Sequence, residues 1–135
     1  VMLQAFPDLK IILVAIAYAI GAHGIMTLND FKALKGDKAL GINSLPVQLG
    51  PERAAKIACY VMAIPQILVV TFLFAWGLTT FSIFILLLVI GQILAMRRLL
   101  SDPEKFAPWY NSTGVLMFVS GMMVCALGLS QAVAQ

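Results

Sequence analysis

The stretch YAIGAHGIMTLNDFKALKGDKALGINSLPVQLG, residues 18–50, decides how the chain is read. It closes a run without Asp, Glu, Lys or Arg from position 11 to position 29, then places Asp30, Lys32, Lys35, Asp37 and Lys38 within nine residues. About 20 apolar residues, at about 1.5 Å of rise each, cross a hydrocarbon core of about 30 Å. The charge cluster therefore marks where the chain leaves a membrane.

Composition extends that reading to the whole chain. Of 135 residues, 61% are hydrophobic and 11% charged, with a mean hydropathy of +0.98, against roughly 45–50% apolar and about 25% charged in a soluble domain. The expected fold class is an all-α polytopic membrane protein with four transmembrane helices, at about residues 9–29, 53–76, 79–96 and 113–134, and a motif loop at 30–52. Strand-like alternation is lacking. The lipid bilayer is the first partner this implies, and the net charge of +3 reflects basic loop residues that set topology and meet anionic lipid or phosphate, with no nucleic-acid role.

Local signals refine the spans. Gly21 and Gly24 predict close helix approach in span one, while Gly36, Gly41, Pro46 and Gly50 leave room for at most a short helix in the loop that follows. Pro51 and Glu52 suit the first turn of span two, and Pro65 predicts a kink in its middle. Residues 101–114 read as a surface loop, with Trp109 and Tyr110 at the headgroups. Gly114, Gly121 and Gly128 repeat every seven residues along one flank of span four, predicting a packed seam. Cys59 and Cys125 are isolated in apolar runs and read as packing residues.

Lys32, Lys35, Lys38, Arg53 and Lys56 lie in or beside the first loop, and Arg97, Arg98 and Lys105 in or beside the third, whereas the second has no charge. Both charged loops are therefore expected on the cytoplasmic side. The opening VMLQAFPDLK has no secretory-leader pattern, and four spans leave so little space for an enclosed site that a piece of a longer protein is expected.

The chemistry concentrates at the end of span one. Asp30 and Asp37 are seven residues apart, about 10.5 Å of rise on one face of a continuous helix, although Gly36 argues against continuity. Mg²⁺ takes one or two carboxylates and completes its shell with water and substrate phosphates. Two aspartates among lysines at a membrane edge thus suit a Mg²⁺–diphosphate site, and equally an ordinary interfacial loop with solvated charges. His23, Thr27 and Asp30 share one helical stripe, which leaves His23 either lining a cavity or packed in the bundle.

On these residues the chain resembles a known family. NDFKALKGDKALGINSLPVQLG, residues 29–50, is similar to the second aspartate-rich motif of the UbiA-type intramembrane prenyltransferases, and GAHGIMTL with DPEKFAPWYNSTG resembles the bacteriochlorophyll and chlorophyll synthase branch. The resemblance implies the C-terminal half of a nine-helix bundle, in a bacterial cytoplasmic or intracytoplasmic photosynthetic membrane. It implies esterification of the bacteriochlorophyllide propionate with geranylgeranyl or phytyl diphosphate, and pigment-assembly proteins as partners. By position, Asp30 and Asp37 would hold Mg²⁺ as the catalytic and metal residues, Lys32 and Lys38 would neutralise phosphate, and Asn29 would orient Asp30 or donate a hydrogen bond. His23 and Thr27 would line the cavity.

Two positions depart from the family pattern: Lys35 stands where Glu is usual, and Ala33 where many relatives have another aspartate. The first aspartate motif has no counterpart here, so the segment alone is expected to be inactive. The alternatives are a synthase acting on chlorophyllide or another acceptor, or a non-enzymatic membrane or transporter module. The latter is disfavoured because only Pro65 and Gln66 interrupt a span near its middle. The DGxxAR signature of CDP-alcohol phosphotransferases is absent.

Overall fold

A computed structural model describes residues 7–133; the first six residues of the opening stretch and the last residue of the predicted fourth span lie outside them. The described residues form helices and turns without a strand: α1 (Leu9–Asp30), α2 (Leu34–Leu40), α3 (Leu45–Leu49), α4 (Pro51–Ala75), α5 (Thr79–Ser101) and α6 (Pro103–Val133). Helices α1, α4, α5 and α6 are long and apolar enough to cross a membrane. In hydrocarbon every peptide group must be bonded internally, which favours helices here. Side chains such as Ile16, Leu87 and Leu116 face outward and are more than half exposed, as a lipid-facing surface requires.

The four long helices pack as a bundle in which α1 lies on α4, α4 on α5 and α5 on α6, with contacts of α6 to α1 and α4 closing it. Small residues build the α1–α4 seam. Ala58 is fully buried, and a Cβ at Gly24 would fall 2.7 Å from its carbonyl oxygen, so only glycine permits this approach. Gly21 likewise lies under the Phe118 ring of α6. In α6, Gly121 meets Gln66 and Tyr18, and Gly128 meets Phe81, as the seven-residue repeat predicts. Gly114 differs, because it is covered by the ring of Tyr110 from its own helix.

Between α4 and α5 the turn has a defined cause. Gly77 takes φ 80°, its N–H bonds the Phe74 carbonyl at 3.1 Å, and the Leu78 N–H returns to Leu73 at 2.9 Å. That pair of bonds is a Schellman closure, which needs a left-handed residue. Across the hairpin, buried Ser82 donates to the Val70 carbonyl at 2.8 Å. Helix α4 runs through Pro65 without interruption, and both cysteines are free and buried.

Several sequence expectations are corrected. The motif loop holds two short helices rather than at most one. Residues 101–114 are almost wholly helical: α5 continues past Arg98 to Ser101, and α6 starts at Pro103. Asp102 caps the new helix, accepting from the Lys105 N–H at 3.3 Å, while its carbonyl accepts from Phe106 at 3.0 Å. Pro103 loses no hydrogen bond in a first turn. The Arg98 guanidinium lies 4.9 Å from the Phe106 ring and 4.6 Å from that of Trp109, closing the α5–α6 corner by cation–π contact. Tyr110 is fully buried rather than at the headgroups, and Gln92 joins Gln66 as a buried mid-span amide.

Candidate functional site

Asp30 is the last residue of α1 and the first charge beyond the uncharged run. Its helix does not continue straight into α2. Two tightened turns intervene, in which the Lys32 N–H bonds the Asn29 carbonyl and the Ala33 N–H that of Asp30, each at 3.1 Å. The break therefore falls at residues 31–33, whereas Gly36 sits inside α2. Phe31 joins the turn to the core, and Leu34 is buried beside it. Asp37 lies in the first turn of α2, where a carboxylate meets the positive helix end.

Loss of hydration at the helix end, and then the neighbouring Asp37 charge, push the Asp30 carboxyl above its ordinary range. Two carboxylates that oppose each other's ionisation are relieved by a cation that both contact. Among the described residues no group of three His, Cys, Asp or Glu side chains is placed to hold a metal. Two carboxylates match in number what Mg²⁺ takes when water and phosphate supply its other oxygens, although Asp37 does not line the pocket of Asp30.

His23, Thr27 and Asp30 line one pocket of about 340 Å³, together with Leu45 of α3 and Ile57 of α4. The Thr27 hydroxyl donates to the His23 carbonyl at 3.0 Å, and the His23 side chain is exposed rather than packed in the bundle. Lys32 and Lys35 face elsewhere. They line a larger pocket of about 1170 Å³ between the motif turn and the α5–α6 corner, shared with Glu52, Arg53, Asp102 and Lys105. This pocket puts the first and third loops at one end of the bundle. Lys38 is exposed in the last turn of α2.

Asn29 brings in a residue that sequence reasoning missed. Its Oδ1 accepts from Nδ2 of Asn111, in α6, at 3.2 Å. Asn111 lies in the quoted segment DPEKFAPWYNSTG, but reading that segment as a loop hid its helical position. Leu45 was likewise in view, within the motif, without a role.

Four apolar helices long enough to cross a membrane, with two aspartates and several lysines at one end, are the architecture of an integral membrane protein. Residues 1–122 match the UbiA prenyltransferase family, and the chain belongs to it. It is 57% identical over 123 residues to the bacteriochlorophyll synthase 33 kDa chain of Cereibacter sphaeroides, covering 91% of this chain and 41% of that protein. The bacteriochlorophyll synthase 34 kDa chain of Chloroflexus aurantiacus is 39% identical over 117 residues, covering 87% and 38%. The chloroplastic chlorophyll synthase of Oryza sativa subsp. japonica is 37% identical over 125 residues, covering 92% and 33%. The chain thus spans about two fifths or less of the length of these relatives. No solved structure matches it.

Proposed function

We propose that residues 1–135 are the C-terminal part of a bacteriochlorophyll synthase that esterifies the bacteriochlorophyllide propionate with geranylgeranyl or phytyl diphosphate. The observation that carries this reading is the 57% identity to a protein named bacteriochlorophyll synthase across a segment that includes the whole aspartate motif. In the reaction the C1–O bond of the prenyl diphosphate breaks, diphosphate leaves with the electron pair, and a propionate oxygen bonds to C1. UbiA prenyltransferases are generally dependent on a divalent metal ion, and we take the ion to be Mg²⁺, whose charge stabilises the departing diphosphate.

Asp30 and Asp37 hold that ion in this reading. Lys38 offsets phosphate charge at the rim, Asn29 donates a hydrogen bond, His23 with Thr27 borders the pocket, and Lys32 stands with Lys35 in the larger pocket outside it. The apolar helices keep water from the allylic carbon before the propionate captures it. The identity to a named chlorophyll synthase is 37%, which favours the bacteriochlorophyllide branch. Pigment competition in an assay of the full-length protein tests this choice; faster esterification of chlorophyllide would overturn it.

Lys35 lines the larger pocket rather than that of Asp30, so Lys35→Glu in the full-length protein is expected to leave the Mg²⁺ concentration for half-maximal activity within about twofold, since exposed charges are strongly screened. A tenfold change in the Mg²⁺ titration would put Lys35 in the metal site. For orientation, we take the motif loop as cytoplasmic in a bacterial inner membrane, a side that its basic residues favour. Cysteines introduced at Lys38 and Lys105, with Cys59 and Cys125 replaced, are expected to react with an impermeant maleimide from that side and one at Thr79 from the other. Labelling of positions 105 and 79 from the same side would contradict a membrane crossing by α5.

A further inference from the structure

We infer that Asn111 is a positioning residue that makes Asn29 present its amide N–H₂ group, and not its carbonyl oxygen, to the diphosphate; the inference rests on the proposed diphosphate site. The two side chains meet across 82 positions of sequence, Nδ2 of Asn111 donating to Oδ1 of Asn29 at 3.2 Å. An Asn amide has one face that accepts and one that donates. Once its oxygen is occupied by Asn111, the part of Asn29 left for a ligand is its pair of N–H donors.

The direction of this bond follows from burial at the other end of Asn111. Its remaining amide atom is buried without a hydrogen-bond partner. Turning the Asn111 amide round would bury two orphaned N–H bonds in place of one orphaned oxygen, and buried N–H groups are left unpaired more rarely than carbonyl oxygens. The oxygen therefore stays inside and the N–H₂ group points to Asn29. Asn29 itself is exposed at the end of α1, next to Asp30. A donor there strengthens binding of an anion, whereas an acceptor would repel it.

The chain also provides the means for this alignment. Asn111 reaches Asn29 because α6 begins at Pro103 and runs helically through residue 111, fixed at the corner by Asp102 and the Arg98 contacts. A mobile loop over the same residues would not hold one amide face against another.

The test uses Asn111→Asp in the full-length protein. The aspartate keeps the size and reach of the side chain but only accepts, so Asn29 must turn and expose its oxygen. KM for geranylgeranyl diphosphate is expected to rise about tenfold, the worth of one charge-assisted hydrogen bond, with saturated kcat, KM for the pigment and the melting temperature nearly unchanged. In an Asn29→Ala background the same substitution is expected to add less than about twofold, because coupled residues are not additive. If Asn111→Asp proves unstable, Asn111→Leu removes the donor without adding charge and carries the same comparison.

An unchanged KM in a folded variant overturns the inference, as does an equal rise with and without Asn29, which would mean plain charge repulsion. Asp30→Asn measured alongside separates the two levels. If it abolishes turnover while Asn111 variants leave KM unchanged, only the role of Asn111 fails; if it leaves turnover intact, the diphosphate site and this inference fall together.

Discussion

In the full-length protein, Asp30→Asn is expected to lower kcat for prenyl transfer by about a hundredfold or more, the scale seen when one preorganised group that stabilises transition-state charge is removed. The substitution keeps the shape of the side chain and takes away its negative charge. Asp30 is half-buried at the end of α1 and close enough to Asp37 for the two ionisations to oppose each other, so losing one carboxylate weakens the hold on a shared cation. Asp37→Asn is expected to act in the same direction. The double variant should be little worse than the more damaging single one, because groups that act on one ion behave as a unit. Ester formation followed by chromatography, across a Mg²⁺ titration, is the measurement. Turnover within threefold of the unaltered protein for both single variants would remove these aspartates from the reaction.

The largest effect on stability is expected at Gly24. Its added methyl in Gly24→Ala would lie 2.5 Å from Cγ of Met62 and 2.7 Å from the Ala58 carbonyl oxygen. Met62 is flexible enough to adapt, but the carbonyl belongs to the backbone of α4, so α1 and α4 must separate at the Gly24–Ala58 contact. Overpacking of this kind costs about 1–3 kcal/mol. Gly36→Ala provides the contrast, since a Cβ there meets nothing within 4 Å and the residue lies inside α2. Alanine in a helix interior is favoured over glycine by roughly 0.5–1 kcal/mol. Unfolding in mixed detergent micelles should therefore separate the two variants in opposite directions. Equal stability for the two would show that α1 and α4 do not approach as closely as described.

The parts of the site were legible to different degrees. Asp30, Asp37 and their lysines announced themselves because five charges after a long uncharged run mark the membrane edge. The shared stripe of His23, Thr27 and Asp30 follows from helical periodicity, and the structure lines one pocket with all three. Asn111 was not legible, because its partner is 82 residues away and no local pattern encodes such a contact. Its helix was misread for a related reason: two prolines and a charge cluster suggested a loop, whereas Asp102 and Pro103 together start a helix. Gln92 carried the same signal as Gln66, an uncharged amide in mid-span, and was passed over.

Sequence alone determined the class, the number of spans, the position of the charged rim and the family resemblance, because a bilayer imposes a requirement that each segment meets by itself: apolar side chains and internally bonded peptides. Only the tertiary structure decided that Lys32 and Lys35 face a different pocket from Asp30, that Tyr110 is buried, and that α6 reaches back to Asn29. Those facts depend on how four helices rotate and settle against one another, through glycine seams and one amide pair between residues far apart in the chain, and packing of that kind has no local signature.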